Sequence, residues 1–174
     1  MSAPVLHTDR LTLRRPVPAD WDAFRDFMMS ERAAMFGSHG NLGRAFRAFA
    51  AELGHWDILG FGMFAAAPRG EDRPVALVGP WSPPDWPEGE IGWMVLSAEA
   101  EGRGIAREAA EAALDHIWRV LRWDTVVSYI AEGNARSLAL AERLGARLDR
   151  GAEAPEAPGR TVLVYRHPRP EGLA

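Results

Sequence analysis

Between a strand-like run that ends at Leu96 and a helical pattern that opens near Gly104 stands the segment Glu101-Gly102-Arg103-Gly104-Ile105-Ala106. Small residues at 102, 104 and 106 let the backbone approach a ligand closely, and the free N–H groups of a first helical turn point at whatever sits there. Such a turn suits an anion, and a pyrophosphate would fit. Arg103 and Arg107 add positive charge at the same end. A dinucleotide fingerprint is incomplete, because position 107 is Arg where the third glycine belongs. A Walker loop is excluded, because all 20 basic residues are arginine and the chain has no lysine. The same letters also describe a tight turn without a ligand. A second pattern, Asn134-x-x-Ser137, lies at a strand-to-helix step, where Asn134 reads as an N-cap and Ser137 as a first-turn residue.

The elements that must position these groups follow from periodicity. Leu11 to Arg15 alternates as a strand, and a helical pattern with Trp21, Phe24 and Met28 follows it. Asn41 is placed to cap a second helix, with Leu42, Phe46, Phe49 and Leu53 on one apolar stripe. Gly62 to Ala67 and Pro74 to Gly79 read as a hairpin. The proline-rich stretch from Pro80 to Gly89, with Trp81 and Trp86, reads as an ordered surface loop. Glu90 to Leu96 is expected as a central strand buried on both faces, and Gly104 to Arg122 as a long amphipathic helix. Thr125 to Ala131 reads as a strand, and the helix capped by Asn134 ends at Gly145 in a left-handed position. Arg147 to Arg150 and Thr161 to His167 close the list of strands. The expected fold class is α/β (α+β), a mixed central sheet of about six to seven strands flanked by about four helices.

At 174 residues the chain, 1–174, is expected to form a single domain. Apolar residues at 47% and charged residues at 25% argue against disorder and coiled coil. The absence of cysteine excludes disulfides, thiolate zinc sites and cysteine nucleophiles. A formal charge of −4 argues against nucleic acid as the main partner. No stretch approaches a bilayer span and no leader pattern is read at the N-terminus, so no membrane partner and a cytoplasmic location are expected.

EIGWMVLSAEAEGRGIAREA followed by EGNARSLALAERLGARL resembles the GNAT family of N-acetyltransferases, and more closely the subgroup of ribosomal-protein N-terminal acetyltransferases. The resemblance extends over most of the chain, from TDRLTLRRP to the closing strand. It implies the GNAT fold and acetyl-CoA as acyl donor. It implies that Glu101 to Ala106 bind the pyrophosphate through backbone amides, beside the charge already read at Arg103 and Arg107, and that the backbone of Met94, Val95 and Leu96 contacts the pantetheine arm. It also implies that Asn134 approaches the pantetheine and that Ser137 lies near the thioester. Two departures stand out. Glu101 replaces the Gln or Arg of the motif, and Ala141 stands where many relatives place a tyrosine that protonates the leaving thiolate.

Acyl transfer from a thioester to an amine needs a neutral amine, a stabilised oxyanion and a tolerable leaving group. A primary amine with a pKa of roughly 10 must lose a proton at neutral pH. Glu90, at the head of the central strand, is the first candidate base, set against a reading as a solvated strand-edge residue; Glu132 is the second. The resemblance implies an oxyanion held by a backbone N–H around Trp93 to Val95. A thiol with a pKa of about 8.5 leaves without a strong acid, and Ser137 could donate or orient a water. Histidines 7, 39, 55, 116 and 167 show no ligand spacing, so no metal site is expected. Trp81 and Trp86 read as the wall of an acceptor pocket or as loop packing. The expected activity is transfer of the acetyl group of acetyl-CoA to a primary amine, by direct attack in a ternary complex. The acceptor is a protein N-terminal amine or a small-molecule amine. A CoA-binding module with little turnover is the alternative. A homodimer is compatible with the resemblance, and no interface is specified.

Overall fold

The structure is a computed structural model and describes residues 3–36 and 39–173. Among these residues one sheet is built from β1 (Leu6–His7), β2 (Leu11–Arg14), β3 (Phe64–Pro68), β4 (Ala76–Trp81), β5 (Glu90–Val95), β6 (Val127–Ala131), β7 (Arg147–Leu148) and β8 (Val162–Arg166). Their order is β1-β2-β3-β4-β5-β6-β8-β7, and every neighbouring pair is antiparallel except β5 with β6. The strand beyond the six to seven expected is β1, whose two residues are too few for alternation to show. The α-helices are α1 (Trp21–Met28), α2 (Leu42–Leu59), α3 (Ile105–His116) and α4 (Ala135–Arg143). No helix among the described residues is long and apolar enough to cross a membrane.

Alternation along β3 shows how the sheet is covered. Phe64 and Ala66 pack with Ala109, Ala110, Ala113 and Ile117 of the α3 segment, while Ala65 joins Phe24 and Phe27 of α1 and Phe49 of α2. Small residues on both β3 and α3 let helix and sheet approach closely. Each fully buried phenylalanine, such as Phe24 or Phe64, contributes about 1.5–3 kcal/mol by leaving water. A third cluster joins Ala141 of α4 to Ile130 and Tyr165.

Three expectations shift. On α2 the cap is as read, with Asn41 Oδ1 accepting from the Arg44 amide at 2.8 Å. The inward stripe, however, is Ala45, Phe49, Glu52, His55 and Trp56, while Leu42 and Phe46 remain 54% and 60% exposed. The helix turns Trp56 inward, where its indole donates to Met63 O at 3.0 Å, and Phe46 lies edge-on to Trp21 at its surface. Strand β5 is not buried on both faces: Ile91 and Met94 are buried, while Glu90, Gly92, Trp93 and Val95 keep accessible surface. The helix expected to reach Arg122 runs regularly only to His116, then makes a π-helical turn over Ile117–Leu121 and stops at Arg122, whose φ is 54°.

Polar ties fix the ends of the elements. Thr8 Oγ1 and Arg10 Nε each donate to the Glu108 carboxylate at 2.6 Å, which fastens the start of β2 to the first turn of α3. Arg14 holds Asp20 through two bonds of 2.8 Å, and Asp20 also accepts from the Val17 amide at 2.8 Å, setting the turn into α1.

Candidate active site

The parallel pair is where the sheet opens. Strands β5 and β6 meet in register at Glu90 and Val127, with Val127 N donating to Gly89 O at 3.1 Å. One step further along β6 the ladder is replaced by side chains. Tyr129 N donates to Glu90 Oε1 at 3.3 Å, and Ile91 O accepts from Ser128 Oγ at 2.7 Å. The strand alternation therefore turns the backbone groups of Ile91, Trp93 and Val95 toward the gap, and those of Met94 together with the Leu96 amide toward β4. Leu96 N donates in that direction to Val75 O at 2.8 Å. Because Ser128 gives its proton to Ile91 O, its oxygen accepts from His167 Nε2 at 3.0 Å. Burial pushes the His167 imidazole down to about 4, so the ring is neutral.

A cleft of about 470 Å³ occupies this opening. Its walls include Phe24, Met28 and Met63 beside Trp81, Trp86 and Trp93, and its ionisable side chains include Glu52, Glu90 and Glu156. Glu90 shows part of its surface to the cleft, yet its carboxyl is enclosed by protein. Burial pushes it up to about 7, against the hydrogen bonds it accepts from Trp86 Nε1 at 2.7 Å and from the Tyr129 amide. Glu52, on α2, is pushed up to about 8 by burial and then by the nearby charge of Glu90. Trp81 stacks on His55 with ring centroids 4.4 Å apart, which stiffens that side of the cleft.

At the far end of β5 the chain turns through Glu101 to Gly104 into α3. Gly102 and Gly104 have φ of 71° and 75°, the left-handed region that a β-carbon disfavours. Among the described residues the amides of Gly102 to Arg107 carry no well-formed hydrogen bond. Glu101 is held between two arginines: Arg32 Nε reaches Oε1 and Arg136 Nη1 reaches Oε2, both at 2.7 Å. Burial of Glu101 is outweighed by these bonds, which hold its carboxyl below the usual range. The remaining guanidinium nitrogens of Arg32 donate to Val95 O at 2.7 Å and Leu96 O at 2.8 Å.

Asn134 Oδ1 accepts from the Ser137 amide at 3.2 Å and so caps α4. Ser137 Oγ accepts from Trp93 Nε1 at 3.1 Å, which leaves its own proton free to donate, and both residues line the cleft.

Residues 10–147 match the family described as the acetyltransferase (GNAT) domain. The chain belongs to the GNAT acetyltransferases. The crystal structure of an acetyltransferase from Agrobacterium tumefaciens is 37% identical, covers 96% of this chain and 95% of its own, and superposes with a TM-score of 0.87. A GNAT-family acetyltransferase from Bacillus anthracis at 18% identity shares the fold with a TM-score of 0.73 over 94% of this chain and 97% of its own. A ribosomal-protein-S5-alanine acetyltransferase from Vibrio fischeri at 13% identity does so with 0.63 over 98% and 99%. The mixed sheet and its helices are the GNAT fold, and this acetyltransferase is an acyltransferase enzyme of a family that uses acetyl-CoA as acyl donor.

The residues present fit that donor. The amides of the loop are free, a β-carbon at Gly102 would meet nothing within 4 Å, and Arg136 stands at its edge on Glu101, while Arg107 is paired with Glu111 at 2.8 Å. In this acetyltransferase Glu90, Asn134 and Ser137 line one cleft, while residues 101–107 lie beyond the end of β5. Glu132, the second candidate base, is not among the cleft-lining residues. Sequence reasoning missed Arg32 and Glu52. For Arg32, 69 residues from Glu101, the sequence offered no signal. Glu52 was findable, since an acid falls on the inward phase of α2 once Ala45, Phe49 and Trp56 define it. Among the described residues no group of three or more His, Cys, Asp or Glu side chains is placed to hold a metal.

Proposed function

We propose that residues 1–174 form one acetyltransferase domain that acetylates a primary amine by direct attack in a ternary complex, the amine belonging to a peptide N-terminus or to a small molecule. The observation that carries this reading is the enclosed Glu90 carboxyl at the closed end of the β5–β6 gap, bonded by Trp86 Nε1 and the Tyr129 amide in the cleft that Ser137 also lines; burial pushes it up to about 7. A base poised there accepts a proton from an ammonium whose free pKa is roughly 10, at a pH where it is itself largely ionised. Bound acetyl-CoA supplies an activated thioester. Glu90 takes one proton from the ammonium; the neutral amine then attacks, forming the C–N bond and breaking the C–S bond, and the sulfur leaves with the electron pair and gains the second nitrogen proton by way of Ser137. Trp93 and Val95 face their amides to the gap, where negative charge developing on the acyl oxygen is held. Ser137, oriented by Trp93, donates to the departing sulfur in place of a tyrosine at Ala141. Pyrophosphate is held by the amides from Gly102 through Ala106, with Arg103 and Arg107 nearby, and Asn134 stands at the pantetheine side.

Ser137→Ala is expected to lower kcat only about tenfold, because a thiol of pKa about 8.5 needs little assistance. Single-turnover kinetics with the variant checks this, and loss of all turnover would give Ser137 a larger part. Gly104→Val is expected to weaken acetyl-CoA binding at least about tenfold, from left-handed strain of about 1–2 kcal/mol and a side chain in the anion path. Calorimetry reads the affinity, with thermal unfolding as the fold control; unchanged affinity places the pyrophosphate elsewhere.

Acetyl-CoA-dependent thiol release across N-terminal peptides, amino acids, polyamines and aminoglycosides tests the whole reading. The protein has no cysteine, so a thiol reagent sees only product. A CoA-binding module with little turnover is favoured by one observation, the engagement of Glu101 by Arg32 and Arg136. Cofactor binding with no release from any acceptor would select it.

A further inference from the structure

Glu52 is 6% exposed, its Oε2 has no hydrogen-bond partner among the described residues, and it lines the same cleft as Glu90. An enclosed carboxyl without a partner costs roughly 1–3 kcal/mol, and a bound cation is one thing that would offset it. Among the described residues no arginine or histidine lines the cleft, whereas three acids do: Glu52, Glu90 and Glu156. The indoles of Trp81 and Trp86 stand with them, and indole faces attract cations.

We propose that Glu52 is a specificity-determining residue that holds a second, protonated amino group of the acceptor, so that the preferred substrate is a compact diamine. One amino group meets Glu90 and is acetylated, while the other is bound by Glu52 against the aromatic wall. Glu52 takes no part in the bond changes. In the free enzyme Glu52 holds a proton, which keeps the lone carboxyl tolerable until a cation replaces it. The proposal rests on the acetyltransferase reading and narrows its acceptor.

The test is acetyl-CoA-dependent thiol release with ethylenediamine, putrescine and cadaverine against ethylamine, butylamine and pentylamine, with N-terminal peptides alongside. A charge-assisted contact of about 1.5–3 kcal/mol corresponds to a preference of roughly 10- to 100-fold in kcat/KM for the best diamine over its monoamine. In Glu52→Gln that ratio is expected to fall to about one through KM, with kcat for the diamine changed less than about threefold. Glu52→Gln keeps the shape of the side chain, and unfolding curves confirm that the variant is folded. A second variant, Glu52→Asp, is expected to retain part of the preference. Equal kcat/KM for diamines and monoamines, release confined to peptides, or a preference that survives Glu52→Gln overturns the assignment and leaves the transferase standing. Absence of release with every amine and peptide, while acetyl-CoA still binds by calorimetry, overturns both.

Discussion

Replacing Glu90 by Gln is expected to lower kcat by about 10²- to 10⁴-fold, the range a positioned general base contributes. Acetyl-CoA affinity should persist, because the loop at Gly102 to Ala106 lies beyond the other end of β5. The pH dependence gives the sharper signature. Burial raises Glu90 to about 7, and it must be ionised to take a proton, so wild-type kcat/KM should rise with pH through about 7. With that base in place the wild-type rate should not rise again near pH 10, because the bound ammonium is what Glu90 deprotonates. In Glu90→Gln the rise through 7 should vanish, and the rate should climb only toward the pKa of the amine, near 10 for a simple acceptor. A variant that keeps the rise through 7 would return Glu90 to a purely structural role as partner of Trp86 and the Tyr129 amide.

The largest expected loss of stability lies far from the chemistry. Arg14→Met should destabilise the protein by about 3 kcal/mol, because Asp20, whose side chain is 4% exposed, would lose the guanidinium that pairs with it. For a chain of this length that is a fall in Tm of about 6–12 °C. The double variant Arg14→Met with Asp20→Asn should recover part of it, since the amide retains a capping acceptor for Val17 N and carries no charge. A double variant no better than the single one would mean that Arg14 acts through its bond to Asp72 O, which is 2.7 Å long.

Local signals were legible where they were self-contained. The caps at Asn41 and Asn134, the left-handed Gly145 and the hairpin of β3 with β4 each depend on neighbouring residues, and the structure places each as its sequence reads. The phase of α2 was not legible, because Leu42 and Phe46 outweigh Ala45 on any apolar scale, yet the alanine is the residue that fits against α1 and the sheet. The acidic departure at Glu101 reads from sequence as a missing pyrophosphate partner. In space it is a bridge between Arg32 and Arg136, and only the folding of the turn after α1 onto the end of β5 brings those charges together. Glu90 is a candidate in the sequence by its place at a strand head, while the enclosure of its carboxyl, where Trp86 Nε1 and the Tyr129 amide reach it, exists only in the fold.

The departure of β6 from β5 also splits the backbone ladder. Strands β1 to β5 and strands β6, β8 and β7 share one parallel register pair, and side chains make the rest of the join: Ser128 on Ile91, Glu90 on the Tyr129 amide, Trp93 on Ser137 and Arg166 on Glu88. Amides on β5 that face the gap lack a strand to shelter them, so those of Trp93 and Val95 should exchange with solvent deuterium much faster than the Leu96 amide, which is bonded to Val75. A donor lying in the gap would serve as the missing strand and slow that exchange. At a hundredfold excess over its Kd it would add about 2.7 kcal/mol to the free energy of unfolding. The melting temperature of this enzyme would then report the cellular supply of acyl donor.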